Sequence, residues 1–365
     1  MREDEGFSFG DPWNYKNSEG TILPIRREGR RRRKYRTLEE VLKDTRDAIE
    51  VTESGAIRKV RILNRTDIPI FVRMGTIFAG LGTQSRAAEG SVVLVPSKKA
   101  RPVTVRCVEA AVPIHGGTRF NVAGFTAPLS VEMGLYARDQ QEVWDRVTEY
   151  ARTRTPRRRQ GRRARDEFAS YRHHVSMDYS LIAAAEAVDT FKEKVHEVLE
   201  VVPNYEDQVG LVFLDKNGVL GMETFESPKS WEAVSDRIVK KYGEVISIPN
   251  GEEKAPSEPD KDTVVGQAQG FLRALAKTKG RVTFNQKGHQ TFALTGKGVV
   301  GEYTVIDGDV MHLTGVRFEK KPKKRRLTRP PYVRRATLED LERLGRVYRR
   351  QTHARDQEEG VREGS

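Results

Sequence analysis

The sequence predicts an α+β fold: antiparallel β-rich sheets with several packed helices, carrying basic arms that are disordered or extended. Three observations carry this. Strand-like runs come in blocks, with β-meanders towards both ends and helical patterns between them, instead of the alternation of a doubly wound sheet. Helical stretches such as Tyr179–Val202 repeat apolar residues at spacings of about three and four. Glycine-bearing turns, above all Asn217-Gly218, join short strand-like runs as hairpin turns do. No internal repeat of fixed period is present.

The elements follow in order. Residues 1–36 read as an extended basic N-terminal arm, with Trp13 and Tyr15 as aromatic pins. Thr37-Leu-Glu-Glu40 is a capping box opening a helix over Leu38–Ile49. Ile57–Asn64 alternates apolar and polar residues, as a half-buried strand does, and Ile68–Val72 is a second strand after an Asn64–Asp67 turn. A glycine-rich loop, Gly75–Gly82, precedes strands at Ser91–Val95 and Pro102–Glu109; Pro113–Pro128 reads as irregular. Ala137–Arg152 is helical, with Trp144 as a core anchor, and Pro203 stops the helix Tyr179–Val202. Gln208–Leu214 and Val219–Phe225 form the Asn-Gly hairpin. Helices at Ser227–Tyr242 and Thr263–Ala276 flank a charged loop, Gly251–Asp262. Strands at Arg281–Asn285, Gln290–Leu294, Val299–Ile306 and Val310–Val316 make a closing meander. The domain so defined is 37–316 with a basic insertion at 152–175; 317–365 is a basic tail ending in a helix from Thr337 to Arg350.

Composition narrows the class. At 365 residues the chain can bury a sizeable core, and 32% charged residues against 37% hydrophobic ones predict a soluble protein. No stretch approaches the ~20 apolar residues of a membrane span. The opening MREDEGFSFGDPW lacks the pattern of a secretory leader. A single cysteine excludes an internal disulfide and a Cys-based zinc site, and fits a reducing cytoplasm. Abundant Lys, Arg and Glu beside one Cys point towards a thermophilic source.

The charge is segregated. Net charge is +13, but Arg26–Arg36 holds eight basic residues and one acidic, Arg152–Arg165 eight and none, and Arg317–Arg335 ten and one. These three ribbons carry +24, so the rest of the chain sums to −11. Solubility alone asks for mixed charge. Arginine pairs bidentately with phosphate, and Tyr35, Tyr171 and Tyr332 lie in or beside the ribbons where they could stack on bases. The expected partner is nucleic acid. RNA is favoured over DNA, and the ribosome or another ribonucleoprotein is a candidate host, because arms of this kind suit densely packed phosphates on large folded RNA. The contact residues expected are Arg30, Arg31, Arg32, Arg33 and Lys34; Arg157, Arg158, Arg159, Arg162 and Arg163; and Lys320, Lys321, Lys323, Lys324, Arg325 and Arg326.

A second constellation sits between Gly75 and Glu109. Its glycines would let backbone approach a phosphate, with Gln84 and Arg86 as ligand-binding candidates, although the Lys-Ser/Thr ending of a P-loop is missing. The plain alternative is a turn between strands. Cys107 with Glu109 offers a nucleophile and a base, and His312 completes the catalytic candidates. Against this, Cys107 shares a strand face with Val103 and Val105, where a buried, inert thiol is the usual case. The histidines form no metal motif: His173 and His174 are adjacent, while His289 and His312 could meet only across strands of the last meander. No metal or cofactor is expected.

The order of motifs resembles the ARPP-1 family, named for association with ADP-ribosylglycohydrolases and rhodanese-phosphatases. The resemblance runs from about Thr37 to Val316. It is carried by Thr37-Leu-Glu-Glu40, Ile57–Asn64, the Gly80–Arg86 loop, Cys107-Val-Glu109, Gln141-Glu-Val-Trp144, Gln208–Val212, Phe225-Glu-Ser-Pro228 and Val310-Met-His-Leu313. Gln84-Ser85-Arg86 stands where family members tend to read Gln-Asn-Arg, and the basic ribbons lie outside the family pattern. The family name implies a link to ADP-ribose or nucleotide metabolism. The alternative to nucleic-acid binding is therefore an enzyme acting on a nucleotide, an ADP-ribose adduct or a nucleic-acid end.

Overall fold

The computed structural model describes residues 7–14, 20–28, 33–81, 83–109, 118–154, 181, 205–246, 260–286 and 288–318. All belong to one of two units in the chain; the other comprises Gln160–Ser176 and Lys320–Ser365. The helix expected at Tyr179–Val202, apart from Leu181, lies outside the described residues, as do the helix at Thr337–Arg350 and most of the second and third ribbons.

The fold is α+β. Six strands close into a barrel: β5 (Ile49–Glu53), β6 (Lys59–Asn64), β8 (Thr76–Gly80), β9 (Arg86–Ala88), β11 (Arg101–Cys107) and β12 (Arg119–Thr126), in the order β11-β6-β5-β12-β8-β9. Alternation fills its interior with Val51, Val60, Ile62, Phe78, Val103, Val105 and Phe120, all buried. A three-stranded sheet, β10-β7-β4, is built from β4 (Arg36–Thr37), β7 (Ile70–Val72) and β10 (Val92–Leu94).

The large sheet is antiparallel and has nine strands. Its strands are β1 (Phe7–Phe9), β2 (Trp13–Asn14), β3 (Thr21–Arg27), β13 (Gln208–Asp215), β14 (Gly218–Phe225), β15 (Lys279–Gln286), β16 (His289–Thr295), β17 (Val299–Ile306) and β18 (Asp309–Arg317). The order is β1-β3-β13-β14-β18-β17-β16-β15, and β2 also pairs with β3. Asn217-Gly218 turns β13 into β14 as expected, with Gly218 at φ +99°.

Five helices complete the described chain: α1 (Leu38–Asp44), α2 (Leu129–Ala137), α3 (Gln140–Arg154), α4 (Pro228–Ile246) and α5 (Lys261–Ala276). The capping box is present at α1: Glu40 N–H donates to Thr37 Oγ1, and Thr37 N–H donates to Glu40 Oε2. α4 covers one face of the large sheet, setting Trp231, Val234, Ile238 and Tyr242 against Leu211 and Phe213. α5 covers the other, where Val264, Ala268, Phe271 and Leu275 meet Leu23, Val212 and Met222. Leu211 and Phe213 point one way from β13 and Val212 the other, so helices on both faces explain a strand that is apolar throughout.

Several expectations change. Residues 21–27 are no arm: β3 lies inside the large sheet, pairing with β13, and Ile22, Leu23 and Ile25 are core. Pro24 is tolerated because its nitrogen, on the same side as the carbonyl that accepts from Gly10 N–H, faces the gap where β1 has ended and β2 has not begun, so no ladder donor is lost. The helix from Leu38 ends at Asp44; Ile49–Glu53, assigned to its end and to a connection, is barrel strand β5. The glycine-rich loop is mostly strand β8. Gly75, at φ +77°, is the turn before it, with Thr126 Oγ1 only 3.2 Å from where a Cβ would stand. Arg119–Thr126, in the stretch read as irregular, is β12. The helical pattern from Ala137 is the end of α2 followed by α3, separated by Arg138 in the left-handed region.

Candidate functional site

The Gly75–Glu109 constellation does converge, but inward. Gln84, Arg86 and Cys107 gather at one end of the barrel beside Glu53 of β5. Arg86 is fully buried; its Nη2 donates to Glu53 Oε2 at 3.1 Å and its Nη1 to Gln84 O at 2.7 Å. Its two Nη atoms are engaged by the protein and Nε has no partner among the described residues; with Arg86 and Gln84 both buried, the expected phosphate contact gives way to an internal ion pair. Cys107 Sγ lies 3.8 Å from Ile57 O, and burial pushes its thiol up despite the nearby Arg86. The thiol is buried in the core, as the strand face predicted. Glu109 Oε2 accepts from Ser85 N–H at 2.8 Å and is tied to the β8–β9 turn. Gln140, at the start of α3, finishes β11: its amide donates to Cys107 O and accepts from Cys107 N–H. Asn64 does similar work on β6, donating to Ile68 O and Leu94 O at 2.8 Å while Thr66 donates to its Oδ1.

His312 is not part of that group. It belongs to a buried ion network on the α4 face of the large sheet. Glu223 of β14 stands opposite Thr314 of β18, which stands opposite Glu302 of β17, so one row crosses three strands. Arg73, in the link from β7 to β8, donates to Glu223 Oε1 at 2.8 Å. Lys241 of α4 reaches both Glu132 of α2 at 2.9 Å and Glu223 at 3.0 Å. His312 Nε2 is 3.1 Å from Glu223 Oε1. Ser91, just before β10, donates from its N–H and its hydroxyl to Glu302. The network joins both smaller β structures, two helices and the large sheet. His289 does not meet His312: it pairs with Ile306 on β17, while His312 pairs with Thr304.

Burial and pairing set the ionisation here. Burial pushes the Glu223 carboxyl up, but Arg73, Lys241 and His312 outweigh it and hold it well below the usual carboxylate range. Burial pushes Lys241 down, and Glu132 and Glu223 reverse this. In His312 burial prevails and favours the neutral ring, despite Glu223. Glu302 has no cationic partner among the described residues; burial pushes it up to about 7 against the hydrogen bonds from Ser91. Arg73 Nε and Nη2, the Tyr136 and Tyr242 hydroxyls and His312 Nδ1 have no partner among the described residues, and buried atoms of this kind are ordinarily satisfied by internal water.

The arrangement fastens elements together; it exposes no nucleophile or base among the described residues. Of the catalytic candidates, Cys107 and Glu109 lie two residues apart with different partners, and His312 belongs to the ionic network. Among the described residues, no group of three or more His, Cys, Asp or Glu could hold a metal ion, and no helix is long and apolar enough to cross a membrane. A mainly apolar hollow of about 40 Å³ is lined by Phe7, Phe9, Ile25, Met222, Leu272 and Leu313 among others. Sequence reasoning passed over Arg73, Glu132, Glu223, Lys241 and Glu302. A signal was present: Glu223 and Glu302 interrupt the apolar strands Gly218–Phe225 and Val299–Ile306, and a charge there must find a partner.

The described part of the first ribbon is stitched to the domain. Arg26 pairs with Asp207 at 2.8 Å, Arg27 stacks on Phe7, Arg33 pairs with Glu40 at 2.7 Å, and Arg36 pairs with Asp44. Lys34 reaches Asp307 at 3.2 Å with both side chains half exposed, an ion pair that leaves it accessible. Arg317 of the third ribbon pairs with Asp215. Tyr35 is buried, donating to or accepting from Ser230 Oγ at 3.1 Å, so it cannot stack on a base. Arg30, Arg31 and Arg32 lie outside the described residues, as do Arg157, Arg158, Arg159, Arg162 and Arg163. So do Lys320, Lys321, Lys323, Lys324, Arg325 and Arg326, with Tyr171 and Tyr332.

These features define an α+β domain in which a closed barrel and a nine-stranded sheet share a buried ionic centre. The chain belongs to the ARPP-1 family: the model of the ARG and Rhodanese-Phosphatase-superfamily-associated Protein domain matches residues 6–316, which takes in the N-terminal strands as well as the region from Thr37. No curated protein and no solved structure matches the chain.

Proposed function

We propose that this ARPP-1 protein binds nucleic acid, with RNA favoured over DNA and a ribonucleoprotein such as the ribosome as its setting. One observation supports the reading: three ribbons carry 26 basic residues against two acidic ones, while the remainder of the chain sums to −11. Segregation of this degree matches a polyanionic partner. Arg30–Arg32, Lys34, Arg157–Arg159, Arg162, Arg163 and Lys320–Arg326 are the contacts in this reading. Arg33 and Tyr35 are left out, because Glu40 and the core engage them.

The test is binding of the full chain to RNA across a salt series. Neutralising six to ten phosphates makes affinity fall roughly 10³–10⁵-fold between ~50 and ~200 mM salt. No binding at ~50 mM salt, or binding indifferent to salt, overturns the reading.

A further inference from the structure

The outside of the barrel carries a second, ordered basic surface. Strand β6 and the turn before it, with the 95–100 loop and β11, bring together Arg58, Lys59, Arg61, Arg65, Lys98, Lys99 and Arg101. Within 54–67 and 95–104 the only acidic residue is Asp67. Arg58 pairs with Glu89, and Arg65 with Glu50. Lys59, Arg61, Lys98, Lys99 and Arg101 are exposed and have no carboxylate partner among the described residues.

The register places them. Lys59 stands opposite Thr104, and Arg61 opposite Pro102, on the outward face of the β6–β11 pair, while Val60 and Val103 point inward; Arg101, opposite Ile62, is on the inward-pointing side and is exposed at the start of β11, so it is not part of the outward face. Arg61 also stands opposite Thr52 of β5, which stands opposite Arg119 of β12. Two exposed arginines thus share one row, two strands or roughly 10 Å apart, with a threonine between them. Arg119 keeps only a loose pairing with Glu50, at 3.6 Å. The exposed acids Asp47 and Asp67 lie beyond the far ends of β5 and β6, away from Lys59. No exposed aromatic side chain occupies these strands, so the surface offers phosphate contacts and no stacking platform.

We propose that the outward face of β6 and β11, with Lys98, Lys99 and Arg119 at its margins, is a docking surface for the phosphate backbone of nucleic acid, set on the folded barrel and made of residues outside the three ribbons. It rests on the nucleic-acid reading and names the part of the domain that would seat the polymer. Because the strands hold these side chains in place, contact there orders no backbone. With no aromatic platform, it favours duplex RNA, where phosphates are dense, over single strands.

The experiment uses the full chain, a ~20-base-pair RNA duplex and the matching single strand, with two sets of variants. Lys59→Glu, Arg61→Glu and Arg119→Glu are combined in one; Arg157→Ala, Arg158→Ala and Arg159→Ala in the other. Urea midpoints confirm that both fold. The barrel-face variant is expected to flatten the salt dependence of duplex binding by roughly two to three in log–log slope, about one per lost contact. It should weaken duplex binding more than single-strand binding. If duplex affinity and slope are unchanged while the ribbon variant binds poorly, this inference is overturned and the nucleic-acid reading stands. If the unmodified chain ignores both RNAs, or binds phosphatidylserine vesicles instead, the nucleic-acid reading itself fails and takes this surface with it.

Discussion

Replacing Glu302 by glutamine should make the protein more stable in alkaline solution and leave it unchanged in acid. Glu302 sits on β17 facing Ser91, with Glu132 and Glu223 as its charged neighbours and no cation among the described residues to balance it. Burial holds its carboxyl at about 7 against an ordinary value of 4.5. A raised carboxyl stabilises the folded state while it stays protonated. Below about pH 4.5 it is protonated in both states and Glu302 carries no penalty. Between about 4.5 and 7 the unfolded chain releases the proton and the folded chain keeps it, so stability declines. Above about 7 the loss is complete, at about 3 kcal/mol. Glutamine keeps an oxygen to accept from Ser91 N–H and has no charge to desolvate. Urea denaturation at pH 4.5, 6 and 8 checks this. The advantage of Glu302→Gln should be near zero, then intermediate, then about 3 kcal/mol, with similar m-values. An advantage independent of pH, or a variant weaker than the parent at pH 8, would show that burial does not raise the Glu302 carboxyl and that the reasoning is wrong.

Two further outcomes follow from the interior. Cys107 should resist alkylation in the native protein by roughly 1000-fold relative to the urea-unfolded chain, since its reaction awaits opening of the barrel core; rapid native labelling would contradict its burial. Lys241→Met strips Glu132 and Glu223 of their shared cation and should cost about 3–5 kcal/mol in urea, and adding Glu132→Gln should recover part of that loss; additive losses would argue against a coupled network.

The elements legible in the sequence were those whose cues are local. The Thr37 capping box, the Asn217-Gly218 turn, the apolar stripe of α4 and the four-strand closing meander each announce themselves within a dozen residues. The barrel was half legible. β6 and β11 alternate cleanly, but β5 follows a helix through a single 3-10 turn, and β9 is only three residues long, so neither builds a pattern of its own. β3 was hidden by chemistry: Pro24 and two arginines look like a solvated arm until Phe7, Asp207 and β13 supply their partners. The candidate residues misled for a related reason. Arg86 carries a charge, and a charge in sequence reads as surface; only the fold shows Glu53 waiting beside it in the barrel. The ionic centre needed residues 73, 132, 223 and 241 together, a long-range juxtaposition that one sequence does not display.

The placement of β3 bears on how the chain acquires its shape as it emerges from synthesis. Every barrel strand falls between Ile49 and Thr126, so that structure can close as soon as this contiguous stretch is available. β3 comes earlier, yet its central neighbour β13 begins only at Gln208. A long interval therefore exists in which Ile22, Leu23 and Ile25 have been made and have only the short strands β1 and β2 to pair with. Loop closure over such a separation is slow, and an apolar strand waiting beside a finished barrel is open to pairing with a neighbouring chain. The run Arg30–Lys34, directly after that strand, sets a dense positive charge next to it throughout the wait, which makes approach by a second copy unfavourable until β13 arrives.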